Sequence, residues 1–194
     1  MRFRQAIAAA VAVLVVAGCG GSPSPSGQSA APDPNGVEVN PPGDIPDDQA
    51  FVRISPPGSD FSLTVPEGWS RTVKGGAVTF TDKLNSIRIE QIRAAGRPSV
   101  ASTRSEEVPQ LSATIPGFAG PSVSELARQA GPAVLLSYRA KAAPDPVTAK
   151  TTTDAVERYT FFHKGERVVL TLSGPVGADN VDPWLIVTDS LRWD

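Results

Sequence analysis

The sequence predicts an α+β fold, with a mostly antiparallel sheet of six to seven strands flanked by two or more helices. Three observations point to it. Short segments with apolar residues at every second position recur between residues 61 and 173. Two of the longest are joined by Lys164-Gly165-Glu166, a three-residue hairpin signal with a central Gly. Helical spacing is confined to residues 99–112 and 179–193, so helices do not alternate with strands as a parallel α/β sheet requires.

The strands begin with Phe61-Ser62-Leu63-Thr64-Val65, whose Phe61, Leu63 and Val65 share one face, and Pro66-Glu67-Gly68-Trp69 ends it in a turn. Gly75-Gly76 reads as a hairpin turn, since no Lys-Ser/Thr or helix start follows to make a phosphate cradle. Val78 to Thr81 alternates, and so does Ile87 to Glu90; Ile92 breaks the phase and predicts a bulge or strand end. Residues 99–112 read as a polar helix capped by Ser99, with Val100, Thr103, Glu107 and Leu111 on one stripe. Residues 122–128 form a weak strand. Ala133–Ala140 is a stronger one, and Ala142–Pro146 a loop. Val156–His163 and Arg167–Ser173 carry the β-branched and aromatic residues that suit strands. In residues 179–193, Asp179 or Asn180 can cap a helix, and Asp182 suits the positive end of its dipole. Trp184, Val187, Thr188 and Leu191 form the stripe that lays this helix across the sheet.

The 194 residues hold 18 Lys+Arg, 20 Asp+Glu and one cysteine. The signs are mixed and no basic stripe occurs, so nucleic acid is not an expected partner. A single cysteine allows no internal disulfide and no thiolate zinc site. Residues 1–18 differ in kind: Arg2 and Arg4 precede an uncharged run, Ala6–Ala17, of only Ala, Val, Leu and Ile. That is the pattern of a secretory signal, and it falls short of the ~20 residues that span a bilayer.

Val16-Ala17-Gly18-Cys19 looks like a bacterial lipobox. In such signals a diacylglyceryl group joins the cysteine sulfur and cleavage falls just before it. Cys19 is therefore the expected lipid-attachment site of an exported protein, held on the extracytoplasmic face of the cell membrane. The plainer alternative is an ordinary signal in which Cys19 is only a small residue. Loss of residues 1–18 removes Arg2 and Arg4, leaving 16 basic and 20 acidic residues and a net charge of −4. The lipid, at ~0.8 kcal/mol per buried CH₂, would have to supply the anchoring. Residues 19–49, rich in Pro, Ser and Gly, read as a disordered tether with a reach of about 90 Å at full extension. The folded domain is expected over residues 50–194.

Phe61 to Trp69 resembles the opening strand–Pro–x–Gly–Trp of PsbP-like and Mog-type proteins. Ser190-Leu191-Arg192-Trp193 resembles their closing Ser-Phe/Leu-x-Trp element. With the lipobox and linker, the chain is most similar to mycobacterial LpqN/LpqT-type lipoproteins. The resemblance covers about residues 50–194. It implies a sheet sandwiched by helices that serves as a binding or assembly module, with no catalytic residues and no cofactor to carry over. Gly68, Trp69 and Trp193 are shared positions with packing roles.

No other residues form a catalytic constellation. His163, the sole histidine, ends a strand beside a turn, and no Gly-x-Ser-x-Gly elbow occurs. Asp179, Asn180 and Asp182 read as helix capping, and Asp44, Asp47 and Asp48 as linker solvation, because no Asp-x-Asp-x-Asn-Gly calcium loop is present. Glu106 and Glu107 point about 100° apart on a helix and read as its solvated face. Tyr159, Phe161, Val168, Leu170 and Leu172 read as core. Were that core incompletely filled, they would line an apolar groove under the C-terminal helix for a lipid tail. The expected function is a non-catalytic envelope module that binds a protein or lipid; the alternative is a lipid or small-ligand carrier using that groove.

Overall fold

The computed structural model describes residues 42–144 and 149–194. Cys19, the signal segment and most of the tether lie outside the described residues. In chain order the strands are β1 (Phe51–Ile54), β2 (Phe61–Pro66), β3 (Ser70–Lys74), β4 (Ala77–Asp82) and β5 (Asn85–Arg93). They continue as β6 (Ala119–Arg128), β7 (Gly131–Lys141), β8 (Thr153–His163), β9 (Glu166–Pro175) and β10 (Arg192–Trp193). A helical run covers α1 (Val100–Ser102), a π-helical turn (Thr103–Glu107) and α2 (Val108–Thr114); α3 is Val181–Asp189.

Seven strands form one antiparallel sheet, as the sequence predicts; its order is β3-β4-β5-β9-β8-β7-β6, and β2, expected within it, joins β1 and β10 in a smaller second sheet. The core lies mainly between them. Phe61, Leu63 and Val65 of β2 are 1%, 0% and 0% exposed and pack with Ile87, Ile89, Phe161, Leu170 and Leu172 of the large sheet. Each such side chain contributes about 1.5–3 kcal/mol relative to exposure. Trp184 and Val187 of α3 join the same core. On the opposite face Val134, Leu136, Tyr138 and Val156 pack against Val100, Val108 and Leu111 of the helical run. Both faces are covered, which makes a sandwich.

Several boundaries differ from the sequence reading. Ile92 marks no bulge, because β5 pairs in regular register with β9 through Ile92↔Arg167 and Arg93↔Glu166. It falls out of phase because it points to the helix-covered face. β3 carries no apolar alternation and is exposed throughout; Gly75 and Gly76, at φ 59° and 80°, make the two-residue turn that joins it to β4. The C-terminal helix stops at Asp189 instead of running to 193. The Thr64 N–H donates to Ser190 Oγ (2.7 Å), and Arg192–Trp193 then pair with Ser62–Phe61 as a third strand. The closing Ser-Leu-x-Trp element thus has a structural meaning. Ser190 binds β2, Leu191 is fully buried, and Trp193 Nε1 donates to the Ala130 carbonyl (3.0 Å).

Residues 42–49, assigned to the tether by composition, pack on the domain. Ile45 is 4% exposed and belongs to the main core. Asn180 stands at the cap position of α3, but its side chain does not cap the helix. It turns inward: Nδ2 donates to the Gly43 carbonyl and to Asn85 Oδ1 (both 3.0 Å), and Oδ1 accepts the Ile45 N–H (2.9 Å).

Candidate functional site

The helical run over the sheet has an irregular centre with a clear cause. Pro109 lacks the N–H that would bond the Ser105 carbonyl, and its ring would clash there. The chain widens by one residue, and the Val108 N–H donates to Thr103 O, five residues back. Ser99 and Ser102 close the N-terminus with reciprocal capping bonds, as Ser99 was expected to do. The result keeps Thr103 buried at 4% exposure and turns Glu107 toward the sheet.

Glu107 meets Arg158 of β8, whose Nε donates to Glu107 Oε1 at 2.5 Å. The same guanidinium, through Nη1, reaches Thr171 Oγ1 (2.8 Å) and Glu90 Oε2 (3.4 Å). Arg88 holds the other Glu90 oxygen at 2.9 Å. Burial raises the Glu90 pKa, but the bonds and charges of Arg88 and Arg158 outweigh it and leave the carboxyl below its ordinary value. Burial pushes the neighbouring Tyr138 phenol up; Arg158 opposes that shift and Glu107 adds to it. Glu107 is therefore not a solvated face residue, while Glu106 is exposed.

Beside this network lies a cavity of about 350 Å³ between helix and sheet. Its floor holds Thr160, Arg158, Arg167 and Val169; the helix supplies Thr103, Glu106 and Leu111. Thr160 is 5% exposed and Thr103 4%, and both border the cavity. Arg167 directs Nε and Nη2 to the Gly96 carbonyl (3.2 and 2.9 Å) and pairs with no carboxylate among the described residues. Ile92, 44% exposed, forms part of the apolar wall. A second cavity of about 490 Å³ lies at one end of the central strands, where Ser86 and Ser173 bond each other. Residues 145 and 146 of the expected Ala142–Pro146 loop lie outside the described residues.

The residues singled out by sequence fall elsewhere. His163 stacks on Trp193, centroids 5.0 Å apart, and Trp193 meets Phe61 edge-on at 6.1 Å, so Trp193 is half-buried rather than a core filler. Trp69 is 9% exposed in the main core. Asp44 Oδ1 accepts the Asp179 N–H (2.9 Å), whereas Asp47 and Asp48 are exposed. Tyr159, Phe161, Val168, Leu170 and Leu172 do not line a groove under α3: all are 4% exposed or less, packed with Trp184, Val187 and Leu191. Sequence reasoning missed Arg158, Thr160 and Arg167, although their alternation along β8 and β9 places them on one face.

A solution structure of cyanobacterial PsbP (CyanoP) from Synechocystis is similar over 87% of this chain and 100% of that one, at 15% identity and a TM-score of 0.53. The domain has a PsbP-like fold. Looser likenesses join it. The Saccharomyces cerevisiae Ran-binding protein Mog1p matches at 13% identity and a TM-score of 0.41, covering 66% of this chain and 78% of that one. LpqN of Mycobacterium tuberculosis, involved in cell envelope biogenesis, matches at 17% and 0.38, covering 75% and 91%. The chain spans about half, 48%, of a similar Bacteroides thetaiotaomicron structure, at 12% identity and a TM-score of 0.49 over 73% of this chain. No family model and no curated protein matches this chain. Among its described residues no helix is long and apolar enough to cross a membrane.

Proposed function

We propose that the protein is a non-catalytic binding module of the cell envelope, held at the membrane by a lipid on Cys19, and that its binding site is the cavity beneath the 100–114 helix. One observation carries the site: Thr103 and Thr160, 4% and 5% exposed, border a cavity of about 350 Å³ that also holds Arg167 and the apolar Ile92, Leu111 and Val169. Sites that bind small molecules place a few polar groups among apolar walls. This moves the small-ligand reading from the face under α3, which is filled, to the opposite face of the sheet.

Binding of mixed-charge fragments to the mature chain, followed by amide chemical shifts, should move Thr103, Glu107, Thr160 and Val169 together. A second reading, docking of an envelope protein, is favoured by Val181, Leu185 and Ile186 of α3, which are 72%, 45% and 45% exposed. Native-envelope crosslinking that enters only through those three residues, with no cavity shifts in the fragment screen, would overturn the cavity site in favour of that reading.

The anchor has its own test. Cys19→Ala should block lipid modification, leave unprocessed precursor and release the protein from membranes after extraction of peripheral material. Wild-type processing and membrane retention in that variant would rule out the lipobox.

A further inference from the structure

The charges around the cavity narrow the ligand. Arg158 is consumed by Glu107, Glu90 and Thr171, so it offers little to a guest. Arg167 differs. A guanidinium carries five N–H donors in a planar fork. In Arg167 the Nε side of the fork is taken by Gly96 O, through Nε and one Nη2 hydrogen. The outer edge, with one hydrogen on Nη1 and the second on Nη2, has no protein acceptor among the described residues. That edge can take a carboxylate through two parallel bonds.

Its surroundings suit one negative charge and not two. The lining holds Arg158 and Arg167 against Glu106 and Glu107, so the formal charges cancel. A monoanion seated at Arg167 leaves a net of one, whereas a phosphate dianion would face Glu106 with no further cation. Thr103 and Thr160 then offer hydroxyls to the same head group. Ile92, Pro98, Leu111 and Val169 form an apolar wall that an entirely polar ligand would leave wet. Arg167 and the threonines prescribe a carboxylate, and that wall prescribes an apolar body behind it.

Building on the cavity reading above, we infer that the site takes an amphipathic monocarboxylate, its head group on the outer edge of Arg167 and on the Thr103 and Thr160 hydroxyls, its apolar body against Ile92, Leu111 and Val169. Octanoate, octanol and octylamine provide the probe set, titrated into the full mature chain and read by amide shifts and calorimetry. Octanoate should move the Thr103, Thr160 and Val169 amides, and the other two should not saturate them. Arg167→Gln should weaken octanoate about tenfold or more, the scale of a lost charge-assisted bond. Arg167→Lys, which keeps the charge and loses the fork, should fall between them. Arg104→Gln, on the helix but outside the lining, should bind as the parent does. The inference is overturned if octanol or octylamine matches octanoate at those amides, if Arg167→Gln binds octanoate unchanged in a spectrum that remains folded, or if none of the three probes moves them. In each case the mixed-fragment screen separately decides whether the cavity binds small molecules at all.

Discussion

Asn180→Ala is expected to destabilise the domain by about 3–5 kcal/mol, a large share of the ~5–15 kcal/mol that holds a domain of this size. The reason is the number of buried groups that one amide serves. Asn180 is 3% exposed. It donates to the Gly43 carbonyl and to Asn85 Oδ1, and accepts from the Ile45 N–H. Asn85 Nδ2 also donates to Gly43 O at 2.9 Å, so that carbonyl keeps one partner in the variant. The Ile45 N–H and Asn85 Oδ1 keep none, and each orphaned buried group costs about 1–3 kcal/mol. Urea unfolding at neutral pH measures the loss. Asn180→Asp should be no milder, since a carboxylate accepts from Ile45 but cannot donate to Gly43 or Asn85. A loss below about 1 kcal/mol in both variants would show that this amide box does not hold residues 43–45 to the domain.

That box also shows where the sequence was legible and where it was not. Strands with strict alternation announced themselves: Phe61, Leu63 and Val65 are buried as their spacing requires, and the β8–β9 hairpin turns at Lys164-Gly165. Strands defined by pairing alone did not. β3 is an exposed edge, β1 has intermediate and exposed residues only, and β10 is two residues long. Residues 42–49 have the composition of a linker, yet Gly43 and Ile45 are fixed by two asparagines from far along the chain. No local pattern encodes such a contact.

The candidate site was half visible. Thr103, Glu107 and Leu111 were placed on one helical stripe, and they do face the sheet. Glu107 was nonetheless assigned to solvent, because a glutamate is ordinarily exposed unless paired. Its partner Arg158 lies 51 residues away on a strand whose outward face would be solvated in a simple two-layer fold. The out-of-phase Ile92 and the largely apolar Val134, Leu136, Tyr138 and Val156 were the available signals that this face is covered as well.

Removal of Arg158 has the second large expected effect, and its pH dependence separates charge from packing. Arg158 is 16% exposed in its side chain; Glu90 and Glu107 are 24% and 26% exposed. Taking away one partner of a buried pair costs about 3–5 kcal/mol, and this partial exposure lowers the expectation for Arg158→Ala to about 2–3 kcal/mol at neutral pH. The sign with pH follows from Glu90, whose folded carboxyl titrates below its ordinary value of 4.5. A group depressed in this way stabilises the fold above its unfolded value, and the contribution disappears as pH falls through the folded value. In Arg158→Ala, Glu90 keeps Arg88 but loses its second cation, so its depression shrinks. The difference in stability between parent and variant should therefore be largest near neutrality and narrow as pH falls through the depressed Glu90 value, where that carboxylate takes up its proton. Urea unfolding of both proteins across that range reads the slope directly. A destabilisation of the same size at neutral pH and at about pH 3 would mean that the Arg158 stem, packed between helix and sheet, matters more than its charge. The network would then be a spacer beneath the 100–114 helix and not the ion pair that turns Glu107 inward.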